Sequence, residues 1–238
     1  MPNPRNRGKE GRDDLLFGSE AVQEKLKEAI SDMHYLLSRG YAEKSSLQLV
    51  GNKHRLNVRQ QKAVQGMSAS EAQIQQRISS RLSLPELKGQ EIAIDGFNLL
   101  IILESALSGA YVFKGLDECY RDLSGVHGTY KRVQQTEQAL TLVGEFLKEA
   151  KAGNVLWLFD QPVSNSGRLK TLLGTLAQEK GYDWTIWLDY NPDKLLAKSD
   201  RIVVSSDAWI LDRVGRWFNL AGYLIEGNLS NTHVIHSK

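Results

Sequence analysis

Four apolar runs in this 238-residue chain finish on an aspartate: "EIAID" at Asp95, "NVLWLFD" at Asp160, "DWTIWLD" at Asp189 and "RIVVSSD" at Asp207. One carboxylate after a strand is more often a turn residue or a helix N-cap than a reactive group. Four invite a joint reading. Right-handed crossovers run the strands of a parallel sheet in one direction, so their carboxyl ends share an edge. Ligands of open α/β sheets bind outside that edge. Carboxylates gathered there repel and raise one another's pKa, and a divalent cation removes the conflict. An all-oxygen donor set suits Mg²⁺ or Mn²⁺. Gly96 beside Asp95 permits close approach, and Asn98 adds a polar neighbour.

Other chemistries lack their residues. There is no GxxxxGK[ST] loop, no GxGxxG and no Gly-x-Ser-x-Gly elbow. A phosphatase of the haloacid-dehalogenase type wants a second Asp two residues after the first, and Phe97 stands there. The histidines at 34, 54, 127, 233 and 236 are scattered; His233 and His236 read as solvated residues of a tail. The single cysteine, Cys119, excludes an internal disulfide and points to a reducing cytoplasm.

The elements that must position the aspartates follow from apolar spacing. Residues 19–39 repeat apolar positions at three and four, with Ser19 as N-cap and Gly40 at the stop. "KSSLQLVGNKHRLNVRQQKAVQGM" reads as two short helices broken near Gly51-Asn52, the second capped by Asn57; residues 69–83 read as one more. This is a helical module over 19–84, similar to a helix-turn-helix arrangement. Residues 1–18 are polar and read as a disordered lead-in. From residue 89 onward strands alternate with helices, which implies a parallel sheet covered on both faces. The expected order is a strand to Asp95, a helix, an irregular insert near 109–129, a helix, then strands to Asp160, Asp189 and Asp207 separated by helices. A helix over 208–222 and a fifth strand, "YLIEG", complete it.

Charge is uneven. Net charge is +2, but the first 90 residues carry an excess of five basic residues and the rest an excess of three acidic ones. Lys53, Arg55, Arg59 and Lys62 concentrate the basic character, as a nucleic-acid-binding surface would; a solvated charged face reads equally well. No apolar run reaches the ~18 residues that span a bilayer, so no membrane role is expected.

"IDGFN", "FD" and "SSD" at the strand ends resemble the PIN/NYN superfamily of metal-dependent ribonucleases. From about residue 20 the chain also resembles an uncharacterised prokaryotic family with a helical N-terminal module, on "LLSRGYAEKSSLQLVGNKHRL", "YRDLSGVHG", "FDQPVSNSG" and "SSDAWILDR". The resemblance implies a PIN-like open parallel sheet of order 3-2-1-4-5 and hydrolysis of RNA phosphodiester bonds with Mg²⁺ or Mn²⁺. Asp95, Asp160 and Asp207 are then catalytic. They bind metal with Asp193, preferred to Asp189 because Pro192 starts a helix at the right edge.

The insert, an expected loop of ~20 residues, is a candidate to fold over the rim. There Asp122 would join the catalytic acids and Arg121 would grip a phosphate. Asn98, Ser164, Ser166 and Ser206 are further substrate-binding candidates; Ser166 reads equally as a helix cap. The expected partner is RNA, with a homodimer left open. The alternatives are a PIN-like domain that binds nucleic acid or a partner without cutting, and a small-molecule phosphohydrolase.

Overall fold

The structure, a computed structural model, describes residues 7–124, 128–229 and 231–238. Lead-in residues 1–6 and His127, within "YRDLSGVHG", lie outside them. Five helices open the chain: α1 (Asp13–Phe17), α2 (Glu20–Ser38), α3 (Glu43–Lys53), α4 (Val58–Met67) and α5 (Glu71–Ser80). Ser19 caps α2 by accepting from the Val22 N–H, and the helix buries Leu26, Ala29, Ile30 and Met33. Asn57 and Gln60 form a capping box on α4. The break between α3 and α4 falls later than expected, at His54–Asn57, where Arg55 takes a φ of 49°.

The lead-in is folded from Arg7 onward. Phe17 is fully buried beside Leu26 and Met33, and Asp13 is buried too. Burying Phe17 stabilises by roughly 1.5–3 kcal/mol, enough to hold a short helix that polar composition alone would leave loose.

The α/β part runs β1 (Ile92–Asp95), α6 (Gly96–Leu107), β2 (Tyr111–Lys114), β3 (Tyr120–Arg121), α7 (Thr136–Glu149), β4 (Val155–Asp160), α8 (Ser166–Lys180), β5 (Trp184–Asp189), α9 (Pro192–Leu196), β6 (Ile202–Val204), α10 (Ala208–Leu211), α11 (Leu220–Asn228) and β7 (His233–His236). Its main sheet is parallel, in the order β5-β4-β1-β6. One face packs Ile92, Ile94, Trp157 and Phe159 against α6, α7, α8 and α11. The other sets Ala93, Leu158 and Val203 against Leu196 of α9 and Ile210 and Leu211 of α10.

The expected fifth strand is corrected. "YLIEG" lies inside α11, because Leu220, Ala221, Leu224 and Ile225 recur at helical spacing and bury together. Beyond β6 the sheet continues only as bridges, from Val203 to Trp217 and from Trp217 to Arg81. The helix expected over 208–222 also stops early, at Leu211, because the following residues turn to make these bridges.

The insert and the tail are corrected as well. β2 and β3 form a hairpin, and β7 pairs in parallel with β2, so the "tail" is a strand with Ile235 buried while both its histidines stay exposed. Phe113, Leu123 and Ile235 belong to the same apolar cluster as α2 and α4. The helical module therefore shares a core with this second sheet, and α4 packs on β2.

Candidate functional site: an acidic rim

Adjacent strands place Asp95, Asp160 and Asp207 at one edge, as parallel pairing requires. Asp160 ends β4, Asp95 ends β1 next to it, and Asp207 follows β6 on the other side of β1. Asp193, at the start of α9, joins them because α9 packs across β1 and β4.

Asp95 is 8% exposed. It stands at the N-cap position of α6 but makes no capping hydrogen bond of ordinary geometry. Its Oδ2 accepts from the Ser205 hydroxyl at 2.8 Å. Burial pushes its carboxyl up to about 7; Asp193 and Asp207 add repulsion, while Ser205 and the nearby Asn98 N–H favour the charged form. Burial also raises Asp160, and it raises Asp193 together with Asp207 and Asp160. Asp193 thus feels Asp207 and Asp160, whereas Asp95 feels Asp193 and Asp207 but not Asp160.

The capping role holds for one of them. Asp207 Oδ1 accepts from the N–H groups of Trp209 at 2.8 Å and Ile210 at 3.1 Å. Asp189 closes a turn, its Oδ1 accepting from the Asn191 N–H at 2.8 Å, and it does not figure in the coupling of the other four. Gly96 is required here: a Cβ would lie 2.3 Å from the Phe159 ring.

Two residues hold the loop after β6. Asn98 Oδ1 accepts from the Ser206 N–H at 2.8 Å. Arg121 Nε donates to the Ser206 carbonyl at 3.0 Å, and its two terminal nitrogens grip Asp117 at 2.9 and 2.6 Å. Sequence reasoning chose Ser206, whose backbone is used, and missed Ser205. The Ser205 oxygen accepts from the Asp207 backbone N–H at 3.0 Å and donates to the Asp95 carboxylate, so one hydroxyl ties Asp95 to the backbone of the loop that carries Asp207. The signal was present in "SSD": the serine two residues before the aspartate can reach back to its N–H.

Several expected site residues lie elsewhere. Asp122 accepts from the Ser124 N–H at 2.5 Å, sits near Arg59 and does not figure among the groups that Asp95 and Asp193 feel. It shares with Asn98, Ser206 and Asp207 only a cleft of about 570 Å³ below the helical module. Arg121 is committed to Asp117 and Ser206, because a buried guanidinium needs a buried carboxylate more than a solvated phosphate. Ser166 neither caps α8 nor stands free, since its hydroxyl donates to the Gln161 carbonyl at 3.2 Å. Ser164 is exposed, and its backbone pairs with Gly128 and Tyr130.

The basic stretch is partly neutralised from within. Arg59 donates to Asp13, Glu10 and the Gly8 carbonyl. Lys53 binds Asp32 at 2.6 Å, and Lys62 reaches the Leu123 carbonyl at 3.2 Å. Arg55 is exposed.

The donors at the rim are oxygens, which suits a hard ion. Among the described residues, no three His, Cys, Asp or Glu side chains are grouped closely enough to hold one. An ion here would have one or two carboxylates to hold it, with water completing its shell.

These features define a class: a parallel α/β domain with an acidic rim, fused through a shared core to a helical module. Residues 84–223 match the family described as "Domain of unknown function (DUF5616)", and the chain belongs to it. Residues 25–79 match "Protein of unknown function (DUF434)". The chain is 31% identical over 186 residues to an uncharacterised protein of Methanocaldococcus jannaschii, covering 78% of this chain and 88% of that relative. No solved structure matches. No helix among the described residues is long and apolar enough to cross a membrane.

Proposed function

We propose that this protein is a divalent-metal-dependent nuclease of PIN-like type that hydrolyses RNA phosphodiester bonds at the acidic rim. One observation carries the reading: three neighbouring strands and α9 set four aspartates along one sheet edge, where the buried Asp95 faces repulsion from Asp193 and Asp207 and is pushed up to about 7. A protein has little reason to bury an acid among acids unless a cation joins them.

Asp95 and Asp207, the latter on the loop that Ser205 ties to Asp95, are the residues that would hold Mg²⁺ or Mn²⁺, with Asp193 and Asp160 beside them. Such an ion, when bound, supplies activation of a water and stabilisation of the leaving oxygen. Ser205 orients the Asp95 carboxylate through Oδ2. Asn98 and Arg121 fix the loop that presents Asp207. Asp122 is withdrawn from the catalytic set, and Lys53, Arg59 and Lys62 from the primary nucleic-acid surface.

The test is cleavage of mixed RNA and DNA oligonucleotides with and without Mn²⁺. Metal-dependent RNA cleavage that is lost in Asp95→Asn supports the reading; no cleavage under any metal sinks it. One observation favours a second reading, a non-catalytic RNA-binding protein: the described acids do not close into a tight cluster of three. Tight RNA binding without cleavage would establish that alternative.

A further inference from the structure

Two exposed aromatic side chains stand at opposite ends of the acidic row. Tyr190 follows Asp189 at the β5 end and is 70% exposed; Trp209 follows Asp207 at the β6 end and is 42% exposed. Between β5 and β6 lie three strand intervals, ~14 Å at the usual spacing. Trp209 lies in the first turn of α10, where Ile210 and Leu211 take the buried face, so Trp209 is left on the outer one. A helical side chain leans toward its own N-terminus, here toward the rim. The Arg213 guanidinium stacks over the Trp209 ring at 4.2 Å, and its Nη1 donates to the Trp209 carbonyl at 2.8 Å.

Scattered surface aromatics need no explanation. A pair flanking a row of carboxylates differs, because cations accompany it. Lys194 follows Asp193 on α9, which packs against α10. Among the described residues, neither Lys194 nor Arg213 makes a salt bridge, whereas Arg59, Arg77 and Arg121 all do. The rim therefore combines acids, two positive charges without carboxylate partners, and two rings. An anionic chain that also carries flat bases complements that combination.

We propose that Tyr190 and Trp209 are base-stacking positions for a single unpaired RNA strand crossing the rim, with Arg213 and Lys194 facing its phosphates. This rests on the nuclease reading for its substrate. Arg213 covers one face of Trp209 and leaves the other to a base. Paired bases hide their faces inside the duplex, so the arrangement selects unpaired strands. Stacking on an aromatic tolerates any base, which predicts weak sequence preference.

The test is fluorescence anisotropy with a 5′-labelled 12-nucleotide RNA of mixed sequence, in an Asp95→Asn background to prevent cutting. Trp209→Leu and Tyr190→Leu should each weaken binding about tenfold, within the usual range for one stacked base. Trp209→Phe should restore most of the loss, which a merely structural role for the indole would not explain. An oligomer of the same length without bases should bind weakly and ignore Trp209→Leu. The inference is overturned if both leucine variants bind as the parent does, or if the baseless oligomer or a matching duplex binds equally well. Wild-type protein that fails to cut RNA while keeping aromatic-dependent binding would sink the nuclease reading and leave this one standing.

Discussion

At the residue scale the account turns on Asp95. Burial pushes its carboxyl up to about 7 in the folded chain, from 3.8 in a free one. Between those values the folded state holds a proton that the unfolded state has released. Stability must therefore fall as pH rises through that window, and the loss is complete above about 7. In EDTA the wild type should melt at a lower temperature at pH 8 than at pH 5.5. Asp95→Asn should flatten that difference and raise the melting temperature at pH 8; an unchanged slope in the variant would assign the effect to other groups. Ser205→Ala removes one donor and one acceptor, so a loss of about 1 kcal/mol is expected in urea unfolding. It should also weaken the upward melting shift produced by Mn²⁺, because the Asp95 carboxylate loses its orienting bond. Asp193, at the start of α9, came from the family resemblance and the helix-starting Pro192, whereas the shared edge of Asp95, Asp160 and Asp207 was legible because strand ends announce themselves in apolar runs. Ser205 was not, because its importance depends on a loop turning back on the strand.

At the scale of elements, the ion network around Arg77 and Asp117 ties three parts of the chain together. Arg77 of α5 meets Asp117 of the insert and Asp212 beyond α10 at 2.6 Å each, and Asp117 also holds Arg121. Burial opposes ionisation of Asp117, yet Arg121 and Arg77 hold its carboxyl down at about 2. Removing one partner from a buried pair leaves an uncompensated charge, so Asp117→Asn should cost about 3–5 kcal/mol by urea unfolding. The same logic separates Arg59 from Arg55. Arg59→Ala strands the buried Asp13 and should cost several times more than Arg55→Ala, which is expected within about 0.5 kcal/mol. Equal effects in the two variants would mean that the Arg59 cluster contributes little. "LNVRQQK" reads from sequence as a basic helix open to a polyanion or to solvent, and only the fold shows that Arg59 meets Asp13 and Glu10 of the lead-in while Lys62 reaches the Leu123 carbonyl. Similarly, "YLIEG" is strand-like by composition, but its burial at Leu224 and Ile225 continues from Leu220 and Ala221, a pattern visible only over nine residues.

At the scale of the whole molecule, the helical module and the α/β domain act as one body. Phe113, Leu123 and Ile235 anchor the second sheet in the core of α2 and α4, and Arg121 carries that anchorage to the rim through the Ser206 carbonyl. The order of the main sheet was implied only by the family resemblance, whereas that it is parallel and covered by helices was readable from the alternation of apolar runs and helices. The second sheet was not, because it joins residues 111–121 to 233–236, too far apart for local patterning to connect. The assembled molecule presents a single acidic edge bordered by Tyr190, Trp209, Lys194 and Arg213. The cation proposed for this edge is what holds its acids together. The most direct measurement is anomalous diffraction from crystals soaked in Mn²⁺. The account predicts a peak at the rim within coordination distance of the Asp95 or Asp207 carboxylate, absent in Asp95→Asn crystals. A map without density at the rim, or with Mn²⁺ bound only at distant sites, would contradict it.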